Sequence, residues 1–470
     1  QLAGSDEWQS YGIAAGAGDG VDGLYVGANY FRQRGWPFTA TLEDTVTDTM
    51  LYGEDNVGVF ASYRRSGFSA DVFVANAQQQ TIGTQPIWDP FDTESHDPRV
   101  FVDLGYVHQI GEFQSLQLNF TFNHDDFDTP SYLSTPGNIV PFRATSRGYL
   151  LEATYRAQLT ESMKLTLGGL TDIHEGGDSI NAIPAFSEVW YGVYMQLDYE
   201  ATDWLKLVGG MQGNLPGEIP GGIVPRAGAI LSFTDNVTTK LLYGQAFRSP
   251  YQLERSIAAV PVIQGNPNLV PETIQTFDVQ LAYHTDTYRL AGTWFYSDFN
   301  GVVTRAGAFP QTYVNQGNII YRGVELENDW RISNRLQWIG SMTYQENTRG
   351  GVYNTTSAPN WMAKLGLAYT DPKRGLKLGL FDTFYGAQTV PATAAIVNPN
   401  PDAYHLLSLN STLDLNRCLS CRSNASMRLQ FLIQNLLDED IYHVEFEREL
   451  INTIPAGAGR TFYGGVQIDY

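Results

Sequence analysis

The chain has 470 residues and a net charge of −21, with 17% of its residues charged and 13% aromatic. Soluble domains usually carry about a quarter charged residues, and no apolar run here approaches the ~18 residues of a membrane helix. The acidic balance sets nucleic acid aside as a partner.

In chain order, Gln9 to Gly18 and Leu24 to Phe31 read as strands, followed by a long polar stretch from Arg32 to Asn56. Val57 to Arg64 and Phe68 to Asn76 are joined by the tight turn Arg65-Ser66-Gly67. After another long loop, Arg99 to Gln109 and Phe113 to Asn123 are joined by Ile110-Gly111-Glu112. In the second of these, Leu116, Leu118, Phe120 and Phe122 share one face, and Ser115, Gln117, Asn119 and Thr121 share the other. That period of two, apolar against polar, is the code of a membrane-spanning strand in a barrel.

The rhythm continues to the end of the chain. Long loops are expected at 125–146, 175–187, 214–222, 249–270, 300–322, 347–360, 389–402 and 437–459, with short turns between them. Regular alternation of short and long connections distinguishes an outer-membrane barrel from a sandwich or propeller. The last ten residues, Thr461 to Tyr470, place Phe462, Gly464, Val466, Ile468 and Tyr470 on one face.

The expected fold is therefore all-β: a transmembrane antiparallel outer-membrane barrel spanning 1–470. It has about 22 strands by the even-number rule. Counting gives about 21 in this chain. With the C-terminus periplasmic, the first and last strands both run inward, so one outward strand is expected from outside the chain.

The stretch Leu242 to Tyr283 carries a specific signal. Ala246, Phe247, Arg248 and Pro250 run into a loop, and Gly265, Asn266, Pro267, Leu269, Pro271 and Glu272 open the next strand. Near the end stand Gln434-Asn435-Leu436-Leu437-Asp438, Pro455 and Gly459-Arg460. Together these resemble TonB-dependent outer-membrane receptors over roughly the last half of the chain. The prolines cannot donate to a ladder, so they belong to the loop before the strand starts. The segment is expected to be structural more than substrate-binding.

The resemblance implies an N-terminal plug inside the barrel and a short energy-coupling box before it. Neither is read in this sequence. The plug and first strand are expected on a trimmed or undescribed segment or on another polypeptide, unless the barrel has been adapted to another role.

Other constellations carry less. Cys418 and Cys421 form C-x-x-C in an expected periplasmic turn with no following His, so a local disulfide is the expectation and haem or four-cysteine zinc is not. Gly18-x-Gly20-x-x-Gly23 lacks a following helix and reads as a turn. The seven His are scattered, and no metal or catalytic spacing stands out. Acids Asp89, Asp92, Glu94 and Asp97, and then Asp125, Asp126 and Asp128, offer oxygen-rich loops for Ca²⁺, against the plainer reading of solvated acidic loops. Aromatics Trp36, Phe38, Trp88, Phe91, Tyr132 and Phe142 are candidates for gripping a ligand or for an interface girdle. Glu325, Glu327 and Asp329 point inward from one strand.

The expected function is that of a non-enzymatic outer-membrane receptor. It would take up a siderophore, vitamin, metal chelate or glycan with energy from TonB through the plug. Its surroundings would be outer-membrane lipid and lipopolysaccharide. The alternative is a plug-less scaffold in a multi-protein outer-membrane complex, its lumen filled by another subunit.

Overall fold

The computed structural model describes residues 2–469 apart from 5–7, 20, 36, 42–46, 52, 81–93, 136–137, 181, 260–262, 308–309, 357, 420–424 and 446–450. Its main sheet has 23 strands, one of which is the two-residue Val352–Tyr353 paired only with Leu336–Arg349. The other 22 form a ring. Each is antiparallel to the strand before and after it, from Trp8–Gly18 and Gly23–Gln33 round to Ser426–Gln434 and Thr461–Asp469. Leu2–Gly4 closes it, pairing with Trp8–Gly18 on one edge and Thr461–Asp469 on the other. No edge is left for lipid to meet, as a spanning sheet requires.

This corrects the strand count. The interposed outward strand exists, but the chain itself supplies it. With three residues, Leu2–Gly4 is too short to show an alternating pattern, so parity reveals that a strand is needed without saying where it lies.

Register fixes the two faces. Followed from strand to strand, one face carries Leu118, Ala153, Gly169, Val193, Tyr243, Phe277, Tyr296 and Leu409. After 22 strands the same face returns to itself, without a flip. The opposite face carries Asn119, Glu152, Gln280, Glu325 and Gln430. The expected assignments therefore hold: Leu118, Phe120, Phe277, Val279, Phe431 and Ile433 share the apolar face, and Gln117, Asn119, Asp278 and Gln430 share the polar one. In a bilayer the apolar face must be the outer one.

Aromatic side chains bound the apolar face at two levels. Tyr288 meets Trp330 edge-on near the short turns, and Tyr344 meets Trp361 with centroids 4.7 Å apart towards the long loops. Just above the upper belt, charged pairs break the apolar pattern. Arg322 Nη2 lies 2.7 Å from Glu346, and His405 Nδ1 lies 2.8 Å from Asp382. They mark where the apolar band ends.

Local chemistry explains two details. Ser66 and Gly67 both have positive φ, 48° and 83°, which gives the two-residue turn that matches strand twist. On the inner wall Tyr194 lies flat over Gly168, where a Cβ would fall 2.0 Å from the ring. The Tyr194 hydroxyl donates to Glu152 at 2.6 Å.

The long loops differ from expectation in one respect. Residues expected as a loop at 125–146 largely continue the ladder, because the strands Gln114–Thr135 and Asn138–Thr160 pair far beyond the apolar band. Above the membrane both faces meet water, so the alternation that announces a strand disappears while the hydrogen bonds continue.

Candidate functional site

The segments that carry the family resemblance meet at the long-loop end of the barrel. Arg248 ends one strand and Glu272 begins the next, and they are direct register partners. Arg248 Nε donates to Glu272, and its two terminal nitrogens donate to Glu254 at 2.9 and 3.1 Å. Glu272, 3% exposed, also accepts from the Val303 amide, which ties in the next loop. Glu254 sits in the short helix Gln252–Ser256 and accepts from the Tyr251 amide at 2.8 Å.

Gly265 packs against that helix so closely that a Cβ would lie 2.6 Å from the Arg255 carbonyl carbon. Asn266 donates to the Tyr313 carbonyl at 2.9 Å, and Leu269 is buried. Arg255, itself buried, pairs with Glu188 and with Glu218. Two guanidinium groups thus fasten the 249–271 loop to the strand residues Glu272 and Glu188 and to the turn at Glu218, while Glu272 and Asn266 tie in the 301–317 loop. The geometry is that of a brace.

The C-terminal segments are also brought together. Asn435, 1% exposed with φ 51°, donates to the carbonyls of Glu439 and Ala458. Asp438 accepts from the Arg460 amide at 2.7 Å. Further along, Asn452 is fully buried. Its Oδ1 accepts from the amides of Val397 and Asn398, and its Nδ2 donates to the carbonyls of Asn398 and Pro399. One side chain therefore locks the loop after Leu376–Tyr385 to the loop before Thr461–Asp469.

On that locked platform three rings meet at the top of the polar face. Tyr385 and Tyr404 are register partners, with centroids 5.6 Å apart. His443 lies 5.8 Å from Tyr385 and 6.2 Å from Tyr404. The Tyr404 hydroxyl and His443 Nε2 share a hydrogen bond of 3.2 Å. Sequence reasoning noted His443 only as one scattered histidine and missed the tyrosines, because 39 residues separate Tyr404 from His443.

The remaining candidates divide. Trp36, Trp88, Phe91, Asp89 and Asp92 lie outside the described residues, as do the side chains of Phe38, Tyr132 and Glu94. Phe142 packs edge-on against Phe127 at 6.3 Å. Cys418 is an exposed free thiol at the end of the one-turn helix Leu415–Cys418, and Cys421 lies outside the described residues. Among the described residues no group of three or more His, Cys, Asp and Glu is arranged to hold a metal.

Asp97 and Asp125 do meet, on the polar face above the apolar band. Arg99 donates to Asp97 at 3.0 Å and lies 3.6 Å from Asp125. Burial, then the Asp97 hydrogen bond and charge, push the Asp125 carboxyl up to about 6. Because the folded value lies above the ordinary one of 3.8, the folded protein binds the extra proton between about pH 4 and 6, and stability falls as pH rises through that window. Asp125→Asn is expected to raise the unfolding temperature at pH 7.5 and to leave it nearly unchanged at pH 4. Equal effects at the two pH values would count against the coupling.

A closed barrel with a polar lumen, an apolar outer band and short turns at one end against long braced loops at the other defines a class: β-barrels of the outer-membrane type. Comparison narrows it. The domain family described as TonB dependent receptor-like, beta-barrel, matches residues 10–436, so the chain belongs to the TonB-dependent receptor-like β-barrel family.

Solved structures share the fold. The FrpB iron transporter from Neisseria meningitidis superposes with a TM-score of 0.77 at 13% identity, covering 99% of this chain and 80% of that one. A variant of the ferric enterobactin receptor PfeA from Pseudomonas aeruginosa gives 0.78 at 15% identity, covering 98% and 77%. The siderophore receptor PirA from Acinetobacter baumannii gives 0.74 at 13% identity, covering 99% and 79%. At these identities the likeness is one of fold. A search of curated protein sequences returns no match.

Proposed function

We propose that this chain is the wall of an outer-membrane receptor that imports a scarce nutrient, with energy delivered by TonB through a plug seated in the lumen. The observation that carries the reading is the closed 22-stranded ring, apolar on one face and polar on the other, within the family match. A ring of this size encloses a lumen wide enough to hold a plug. The short turns then face the periplasm with the C-terminus, and the braced loops face the outside, among lipid and lipopolysaccharide.

The inner wall indicates what the plug must offer. Glu325, Glu327 and Asp329 are exposed along one stripe of Asn318–Arg331. Carboxylates covered by a second surface need cations opposite them, so the plug surface against this strand is expected to be basic. The plug belongs either to a further segment of the same polypeptide or to a separate chain.

Among structural neighbours the named cargoes are iron, copper, ferric enterobactin and siderophores, which makes a metal or its chelate the first class to test. The experiment is uptake of radiolabelled iron chelates by cells carrying the full gene, with and without a protonophore. Accumulation that stops when the proton gradient collapses supports the reading. Accumulation indifferent to the protonophore sinks it. Absence of any accumulation, with a stable partner chain co-purifying in the lumen, favours the scaffold instead.

A further inference from the structure

We propose that Tyr385, Tyr404 and His443 form a ligand-binding dish for a flat, conjugated group that is neutral or cationic. The proposal deepens the receptor reading and rests on it for the dish's place at the outer mouth. Three observations meet at this point.

The first is the shape of the cluster. The three centroid separations are 5.6, 5.8 and 6.2 Å, and every pair of rings is within 31° of parallel. A single column of three rings would double one of those distances. The hydrogen bond at 3.2 Å instead sets Tyr404 and His443 side by side, with Tyr385 against both. The three rings thus place adjoining aromatic area at one point. Flat π-systems bind such a surface by offset stacking, and cations bind ring faces.

The second is the rigidity of its support. His443 belongs to the short strand Tyr442–Val444, paired with Thr453–Pro455. Val444, Ile441 and Ile451 are buried beneath it, and Asn452 and Thr453 are fully covered. His443 itself points away from that small core and is exposed. A surface held this firmly loses little freedom when a ligand settles on it.

The third is charge. Desolvation by the neighbouring side chains lowers the pKa of the His443 imidazole and raises those of both tyrosine hydroxyls, which favours the uncharged form of each ring. The described residues of the two loops that build the dish, 386–403 with 435–445 and 451–460, include five carboxylates and one arginine. An uncharged π-surface in that acidic setting favours neutral and cationic ligands and repels polyanions. Tyr385 and Tyr404 stand on the polar face, one pair of residues above the Asp382–His405 pair that ends the apolar band, so the dish opens inward at the mouth.

The test uses a matched pair of probes with one flat ring and two charges: adenosine, which is neutral, and adenosine 5′-monophosphate, which is anionic. They are chemical probes of the dish and are not offered as its cargo. Binding to the purified chain in micelles is read by saturation-transfer NMR.

The expected result is that adenosine binds and the monophosphate binds several-fold more weakly at low salt, the gap narrowing as salt is added. Tyr385→Leu with Tyr404→Leu, which keeps apolar bulk and removes both rings, abolishes the adenosine signal. His443→Ala, a loop change with no part in strand pairing of the barrel, weakens it. Monophosphate binding equal to or tighter than adenosine overturns the charge assignment, and unaltered binding in the double variant overturns the site.

The failures of the two readings are separable. Binding on the isolated chain requires no TonB. Uptake that ignores the protonophore sinks energised transport and leaves the dish standing. Energised uptake by a chain whose dish binds neither probe sinks the dish alone.

Discussion

Val279→Arg is expected to destabilise the folded barrel by about 2–4 kcal/mol, the cost of an arginine facing lipid near the bilayer midplane. Val279 is the eighth residue of the 13-residue strand Glu272–His284 and is 41% exposed on the apolar face. Its register partners are Leu241 and Trp294, themselves exposed on that face. The neighbouring change Asp278→Arg places the same charge on the polar face and should cost far less. Tyr283→Arg, near the short turns, should fall between about 0 and 1 kcal/mol, because the side chain there reaches the interface. Denaturant unfolding from lipid vesicles measures all three. A Val279→Arg barrel as stable as Asp278→Arg would mean that the face assignment is inverted along this strand and, because register never flips round the ring, along every other.

That strict coupling explains why so much of the fold was legible in sequence. Leu116 to Phe122 alternate because one side of the strand meets lipid and the other does not, and each strand reports the same environment independently. The signal failed where the environment changed. From Asp125 to Ser146 the hairpin stands in water on both sides, so its ladder is invisible to composition. Leu2–Gly4 offers three residues and no period.

The candidate site was legible only where partners lie close in register or belong to quoted segments. Arg248 and Glu272 were named as separate parts of one resemblance, and the structure joins them. Tyr385, Tyr404 and His443 gave no warning, since the fold of two loops makes them neighbours. The proline and glycine segments were expected to be structural, and the brace from Arg248 to Glu254 and Glu272 supplies a physical reason for that expectation.

The second large effect is expected at Asn452. Replacing it with alanine removes one side chain and takes one hydrogen-bond partner from each of two amides and two carbonyls of the loop at Val397–Pro399. A buried group left with no partner costs about 1–3 kcal/mol when water cannot reach it. The full sum will not be lost, because the loop can open and let water in. That opening is the predicted phenotype. Thr453 Oγ1 to the Pro399 carbonyl, 2.6 Å, Asn398 Nδ2 to the Thr453 carbonyl, 2.9 Å, and the Asn452 amide to the Ala395 carbonyl, 2.9 Å, would be left to hold the two loops together and should fail with it. Hydrogen exchange in Asn452→Ala is therefore expected to rise by orders of magnitude over 394–400, 441–445 and 451–455, while the strands Tyr404–Asp414 and Thr461–Asp469 keep their protection. Adenosine binding at the dish should weaken in parallel, although no ring has been touched. Protection unchanged in those loops would show that Asn452 is not the lock, and protection lost through the strands as well would show that the loops and the barrel unfold as one unit.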